Sequence, residues 1–295
     1  MNTREKFLTH LNKALDADQG TLPIFSAVSL QIQQELIKDQ ADLKTIEKLI
    51  TEDQSLSSTV LRMANSAWYC GLVDTTTVRS AIVRLGMAEI MQIVCNDINN
   101  KLFSSHDSQI DGIMKKLWQH SVGCAFAAGI LANVVGGGVV REEAFTAGLF
   151  HDIGKLLILK VVEDKRKKYK IFEISDQLLL ESIESLHAKH GYRLMDRMKI
   201  PKMYAVVARD HHLKRIDHEN VMLILVRLAN TICHQMGIGF VHDPSLDIMA
   251  TEEAGLVNLA ESQLERLRNF LLNSPSVMEL SGGHGTVHAA VPVMQ

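Results

Sequence analysis

The segment Ala147-Gly148-Leu149-Phe150-His151-Asp152-Ile153-Gly154-Lys155-Leu156-Leu157 decides how this chain is read. It sets an adjacent imidazole and carboxylate inside one of the most apolar stretches of the protein. Burying either group without a partner is costly. A metal ion or a hydrogen-bonded polar pair would account for them. The spacing predicts one helix from Arg141 to about Val162, opened by Arg141-Glu142-Glu143, whose acids suit the positive end of the helix dipole.

Working outward, every other segment with a clear pattern also has the helical period. Apolar residues at that spacing predict helices over 4–16, 28–37, 43–50, 55–67, 75–85, 87–103, 113–135, 176–198, 202–212, 221–236 and 250–272. Asp53 or Ser55 can cap the fourth of these, and Asn65 near its end reads as a C-terminal cap or a hydrogen bond to backbone. No strand alternation and no fixed-period repeat stands out, so the fold class is all-α. The polar stretch 104–112 reads as a linker. It divides the chain into an N-terminal helical bundle (1–105), a second helical domain (106–273) and a flexible or extended tail (274–295).

The totals agree. Of 295 residues, 46% are apolar, enough for a sizeable core, and 5% are aromatic with 5 prolines, a balance that suits helices. A net charge of −3 gives no sign of a nucleic-acid or anionic-membrane partner. The run Lys165-Arg166-Lys167-Lys168 lacks interleaved aromatics or glycines and reads as a solvated surface. Cys70, Cys95, Cys124 and Cys233 are scattered, which excludes a zinc ribbon and leaves them as small core residues. No apolar run reaches the roughly 18–20 residues of a membrane span. The expected location is cytoplasmic.

Six histidines fall on four predicted helices: His120, His151, His187, His190, His211 and His212. The other seven, His234 among them, mostly lie in polar or terminal contexts and are set aside. His120, His151 and His187 stand among glycines and small residues, which suggests backbones drawn close around a shared centre. Neutral imidazoles with one carboxylate suit Fe, Mn, Zn, Ni or Co. The spacing offers His120, His151, Asp152, His187, His211 and His212 as metal ligands for one or two ions. Lys155, three residues after Asp152, can pair with it or hold a phosphate. Asp152 and Lys155 are the candidate catalytic groups.

At this point the chain resembles a known family. Phe150-His151-Asp152-Ile153-Gly154-Lys155 with upstream His120 is similar to the HD superfamily of metal-dependent phosphohydrolases. The stretches Asp53-Gln54-Ser55-Leu56, Leu61-Arg62-Met63-Ala64-Asn65-Ser66-Ala67, Ser80-Ala81-Ile82-Val83-Arg84-Leu85-Gly86, Ile200-Pro201 and His211-His212 narrow the likeness to the HDOD family, over about Leu22 to Ile238.

The resemblance implies an N-terminal helical bundle packed on an HD-like bundle, and a bacterial signalling role exercised by binding proteins or a ligand. It implies a divalent transition metal, Fe or Mn first with Zn or Ni as alternatives. Signalling proteins are the expected partners, with a nucleotide or phosphate as a further candidate ligand and oligomers allowed. The extra histidines resemble the HD-GYP branch, which makes a metal-dependent phosphohydrolase the alternative function; a di-iron oxygenase is a third. Two departures weigh against hydrolysis. Asn230 stands where the last HD aspartate is expected, and Leu-Lys-Arg-Ile-Asp follows His212 with no Gly-Tyr-Pro.

Overall fold

The computed structural model describes residues 3–17, 27–36, 40–66, 74–135, 138–169 and 174–274, with Lys38, Tyr69 and Val277. The expected restart at Leu22-Pro23, the thiol of Cys70, the stop at Gly136-Gly137 and most of the tail lie outside these residues. Among the described residues there are helices and no strand. The chain divides into two compact units, Ile24–Leu102 with Leu272–Gln295, and Met1–Pro23 with Phe103–Leu271.

The first unit contains α2 (Ala27–Leu36), α3 (Leu43–Glu52), α4 (Gln54–Ala64), α5 (Val78–Leu85) and α6 (Met87–Leu102). The second contains α1 (Thr3–Ala17), α7 (Ser108–Val135), α8 (Arg141–Phe150), α9 (Ile153–Tyr169), α10 (Asp176–Arg197), α11 (Lys202–Asp210), α12 (Val221–Met236), a 3₁₀ turn (Ile248–Ala250), α13 (Glu252–Leu256) and α14 (Glu261–Asn273).

In the first unit, Ile46 and Ile50 of α3, Leu56 and Val60 of α4, Ile82 of α5 and Ile90 and Val94 of α6 are buried together with Ile32 of α2. Asp53 caps α4, its carboxylate accepting from the Leu56 N–H at 3.0 Å. Asn65 ends the same helix. Its Oδ1 accepts from Thr75 N–H at 2.8 Å and its Nδ2 donates to the Thr75 carbonyl at 2.9 Å.

In the second unit, α7 is the central helix, buried almost continuously from Leu117 to Ala132. It lies against α8, α9 and α12, while α10 packs on α9 and α11, and α1 on α9 and α10. Glycines allow the closest approaches. A Cβ on Gly148 of α8 would come within 2.6 Å of the Cys124 carbonyl oxygen and 2.8 Å of Ala125 Cα on α7. One on Gly154 of α9 would collide with the His187 carbonyl of α10 and lie 2.8 Å from Gly191 N.

Three sequence-based boundaries are corrected. The helix expected over 141–162 is two helices, α8 and α9, with His151 and Asp152 as the turn between them. The break puts the carboxylate just before the positive end of α9, where the Asp152 carbonyl accepts from Lys155 N–H at 2.8 Å. The linker is shorter than 104–112, because Asp107 caps α7 by accepting from Gln109 and Ile110 N–H. The helix expected over 250–272 is interrupted at Val257–Ala260, where Asn258 takes a positive φ of 50°. The basic run is the end of α9, and Arg166 pairs with Asp107 at 2.6 Å.

Candidate metal centre

Four elements deliver imidazoles to one interior point of the second unit. α7 carries His120, the α8–α9 turn carries His151 and Asp152, α10 carries His187, and the end of α11 carries His211 and His212. His120, His151, Asp152, His187 and His211 are all buried, and His212 remains exposed at the rim. Asp152 is the hub. Its Oδ2 lies 3.5 Å from His120 Nε2 and 3.3 Å from His151 Nε2; its Oδ1 lies 3.3 Å from His187 Nε2 and 3.4 Å from His211 Nε2. The His212 ring packs on His211, with centroids 4.0 Å apart.

The far side of each buried ring is fixed by backbone. The Nδ1–H of His120 donates to the Ile238 carbonyl at 3.1 Å, that of His151 to Gly148 at 2.7 Å, that of His187 to Ile183 at 2.9 Å, and that of His211 to Ala208 at 3.0 Å. A proton on Nδ1 leaves Nε2 with a lone pair and no hydrogen in the neutral ring. Four nitrogen acceptors therefore face the two acceptor oxygens of Asp152. Among the described residues His151 Nε2 and Asp152 Oδ1 have no hydrogen-bond partner. Ligand imidazoles are commonly oriented in this way, with the second ring nitrogen tied to a carbonyl.

Burial keeps the His120, His187, His211 and His212 rings neutral. Burial pushes His120 and His211 down to about 3, and Asp152 only partly offsets it. Burial and His187 push His212 down to about 4. Burial alone would raise Asp152, but its charged and hydrogen-bonding neighbours, Lys155 among them, hold it well below the ordinary carboxylate range. Lys155 supplies the local cation. Its Nζ sits 3.1 Å from Asp152 Oδ2 and 2.8 Å from Glu184 Oε1, so burial, which would lower it, is outweighed and it is raised.

The six ligands named from sequence thus converge, and Lys155 joins them as an ion-pair partner. His190, on the same helix as His187, does not. It faces α1, where its Nε2–H donates to Asn12 Oδ1 at 2.9 Å. Two residues escaped the sequence reading. His234, set aside there, stacks on His120 with centroids 5.3 Å apart. Its signal was Asn230, one helical turn earlier on the same face of α12. Cys124, read as core, places Sγ 3.5 Å from His120 Nε2. Burial and the neighbouring Cys233 raise its thiol well above the ordinary value.

Two groups of donor atoms could each hold a metal: Asp152, His187, His211 and His212, and separately His120, Cys124 and His151. Imidazole nitrogens with carboxylate or thiolate fit a divalent transition ion. A cation there would also relieve the acceptor-to-acceptor contacts.

The HDOD domain model matches residues 22–213, about two thirds of the chain. The chain belongs to the HDOD family. Solved structures agree in fold. An HDOD domain protein from Geobacter sulfurreducens superposes with a TM-score of 0.59 at 20% identity, covering 94% of this chain and 98% of that one. A protein from Shewanella amazonensis SB2B, provisionally named a metal-dependent phosphohydrolase, gives 0.53 at 21% identity over 96% and 95%. One from Marinobacter aquaeolei VT8, provisionally named a signal transduction protein, gives 0.58 at 19% identity over 95% and 66%. A curated relative from Treponema pallidum (strain Nichols), itself uncharacterised, is 22% identical over 196 residues. That match covers 65% of this HDOD chain and 37% of the relative, so the chain spans little more than a third of its length. Among the described residues no helix is long and apolar enough to cross a membrane.

Proposed function

We propose that this HDOD protein is a cytoplasmic bacterial signalling component that acts by binding proteins or a ligand. In this reading His120, His151, Asp152, His187, His211 and His212 hold one or two divalent transition ions, Fe or Mn first and Zn or Ni otherwise. The supporting observation is the set of four Nε2 lone pairs around the Asp152 carboxylate, with His151 Nε2 and Asp152 Oδ1 lacking any donor. An interior built only for packing would pair such groups with protons. The carbonyls of Gly148, Ile183, Ala208 and Ile238 fix the ring tautomers, and Lys155 steadies Asp152 from outside the imidazole cluster. A phosphate-bearing ligand is a further candidate, with Lys214 and Arg215 lining a solvent-open pocket beside Asp217, His218 and Glu252.

The second reading is a metal-dependent phosphohydrolase, favoured by the number of histidines retained. A bound ion would supply Lewis acidity toward a phosphoryl oxygen. Against it stands Asn230, a neutral amide on α12 where a carboxylate would add charge and a stronger ligand.

Elemental analysis of protein grown in iron- and manganese-rich medium tests the metal. At least one equivalent is expected, and less than about a tenth of an equivalent would sink the reading. Assays on phosphodiesters and nucleotides with added Mn or Fe separate the two functions. Turnover that is lost in His151→Ala and Asp152→Ala would establish the second reading over the first.

A further inference from the structure

The two donor groups of the centre are chemically unequal. On one side, Asp152 Oδ1 faces His187 and His211 with His212 beside them, an oxygen and nitrogen set. On the other, Asp152 Oδ2, which faces His120 and His151, is ion-paired with the Lys155 ammonium, which offsets its charge. Asn230 brings no charge from α12. A dication held by His120 and His151 would thus lack an anionic donor of its own.

Cys124 fills that position. It lies four residues after His120 on α7, the spacing that puts two side chains on one helix face. Its Sγ is 3.5 Å from His120 Nε2, and the donor atoms of His120, Cys124 and His151 lie within 4.8 Å of one another. His151 Nε2, fully buried, reaches the same point without a partner.

We infer that Cys124 is a thiolate ligand, completing a His120–Cys124–His151 metal subsite beside the Asp152–His187–His211–His212 one. The inference rests on the metal-binding reading above. On loading, the Sγ–H bond breaks, a sulfur–metal bond forms, and the proton leaves to solvent. Neither sulfur nor metal changes oxidation state. Thiolate is a soft donor, so this subsite selects Zn, Fe(II) or Co(II) over Mn, while the oxygen-bearing subsite is less discriminating.

The test is cobalt substitution of the full chain after chelator treatment. Co(II) titrated into wild-type protein should give an intense near-ultraviolet thiolate-to-cobalt charge-transfer band. The band should vanish in Cys124→Ser and Cys124→Ala and persist in Cys233→Ala. Affinity at that subsite should fall by at least the roughly 10–100-fold typical of losing even an outer-shell partner.

If wild type binds no cobalt, the metal reading itself fails. If cobalt binds with only nitrogen and oxygen signatures, the thiolate assignment is overturned while the metal reading stands. A band that survives Cys124→Ala and disappears in Cys233→Ala also overturns it. Should the Cys124 variants not fold, the Cys70→Ala/Cys95→Ala/Cys233→Ala chain keeps Cys124 as its only thiol. A charge-transfer band there supports the assignment, and cobalt bound without one overturns it.

Discussion

Asn65, exposed at the end of α4 in the first unit, and Asp152, buried in the second, are both polar side chains beside apolar helices, and they are treated in opposite ways. The Asn65 amide meets the Thr75 backbone donor to acceptor on both sides. Arg84 Nη1 donates to the neighbouring Ala64 carbonyl at 3.1 Å, and the amide ties the end of α4 to Thr75. Asp152 faces the Nε2 atoms of four imidazoles whose Nδ1 protons are taken up by backbone, and Lys155 donates to its Oδ2. A structural polar group closes its own hydrogen bonds; a site built for a guest leaves them open.

That contrast can be broken experimentally. The largest effect is expected at the hub. Asp152→Asn should empty the Asp152–His187–His211–His212 group, because an amide cannot neutralise a cation; metal content by elemental analysis equal to that of the unaltered protein would show that the carboxylate is not central. Next comes Gly154→Ala, whose Cβ would meet backbone of α10 rather than a yielding side chain. Denaturant unfolding should register a loss at the upper end of about 1–3 kcal/mol, together with weaker metal binding as α9 and α10 part. A neutral result would mean that the approach of these helices is not a constraint.

Asn65→Ala should cost about 1–3 kcal/mol by leaving the buried Thr75 backbone groups unpaired, and should leave metal content unchanged. A loss of metal in this variant would erase the distinction between the two polar sites.

An effect absent at neutral pH concerns His190. Burial, reinforced by Lys189 and only partly offset by Asp16, pushes it down to about 4. The unfolded chain therefore takes up a proton near the ordinary value of 6.5 before the folded chain does. Stability from this residue is intact above about pH 6.5 and falls as pH drops toward 4, by up to about 1.4 kcal/mol per pH unit. His190→Asn should flatten urea-derived stability against pH across that window. An unaltered slope would mean that the imidazole is not held neutral between α1 and α10.

Much of this was legible in the residues. Helical period gave the all-α class, and the caps at Asp53 and Asn65 fall where their side chains predicted. His120, His151 and His187 stood out because imidazoles among small and apolar neighbours are costly without a purpose. What escaped has a physical cause in each case. The break at His151-Asp152 was invisible because both flanks keep the helical period and a two-residue turn barely shifts it. His190 shares its helix with His187, and spacing alone did not say that it would face α1. Cys124 passed as a small core residue, and His234 as a polar one, because neither shows its neighbours in one dimension.

The sequence by itself determined the all-α class, the histidines that stand out on apolar helices and the presence of Asn230 where a carboxylate was expected, since these depend on local period and residue chemistry. Only the tertiary structure decided which ring nitrogens face Asp152. That depends on carbonyls of Gly148, Ile183, Ala208 and Ile238 taking the Nδ1 protons. It alone also brought the thiol of Cys124 beside His120 and His151, because the meeting of α7 with the α8–α9 turn requires Gly148 to let two backbones nearly touch.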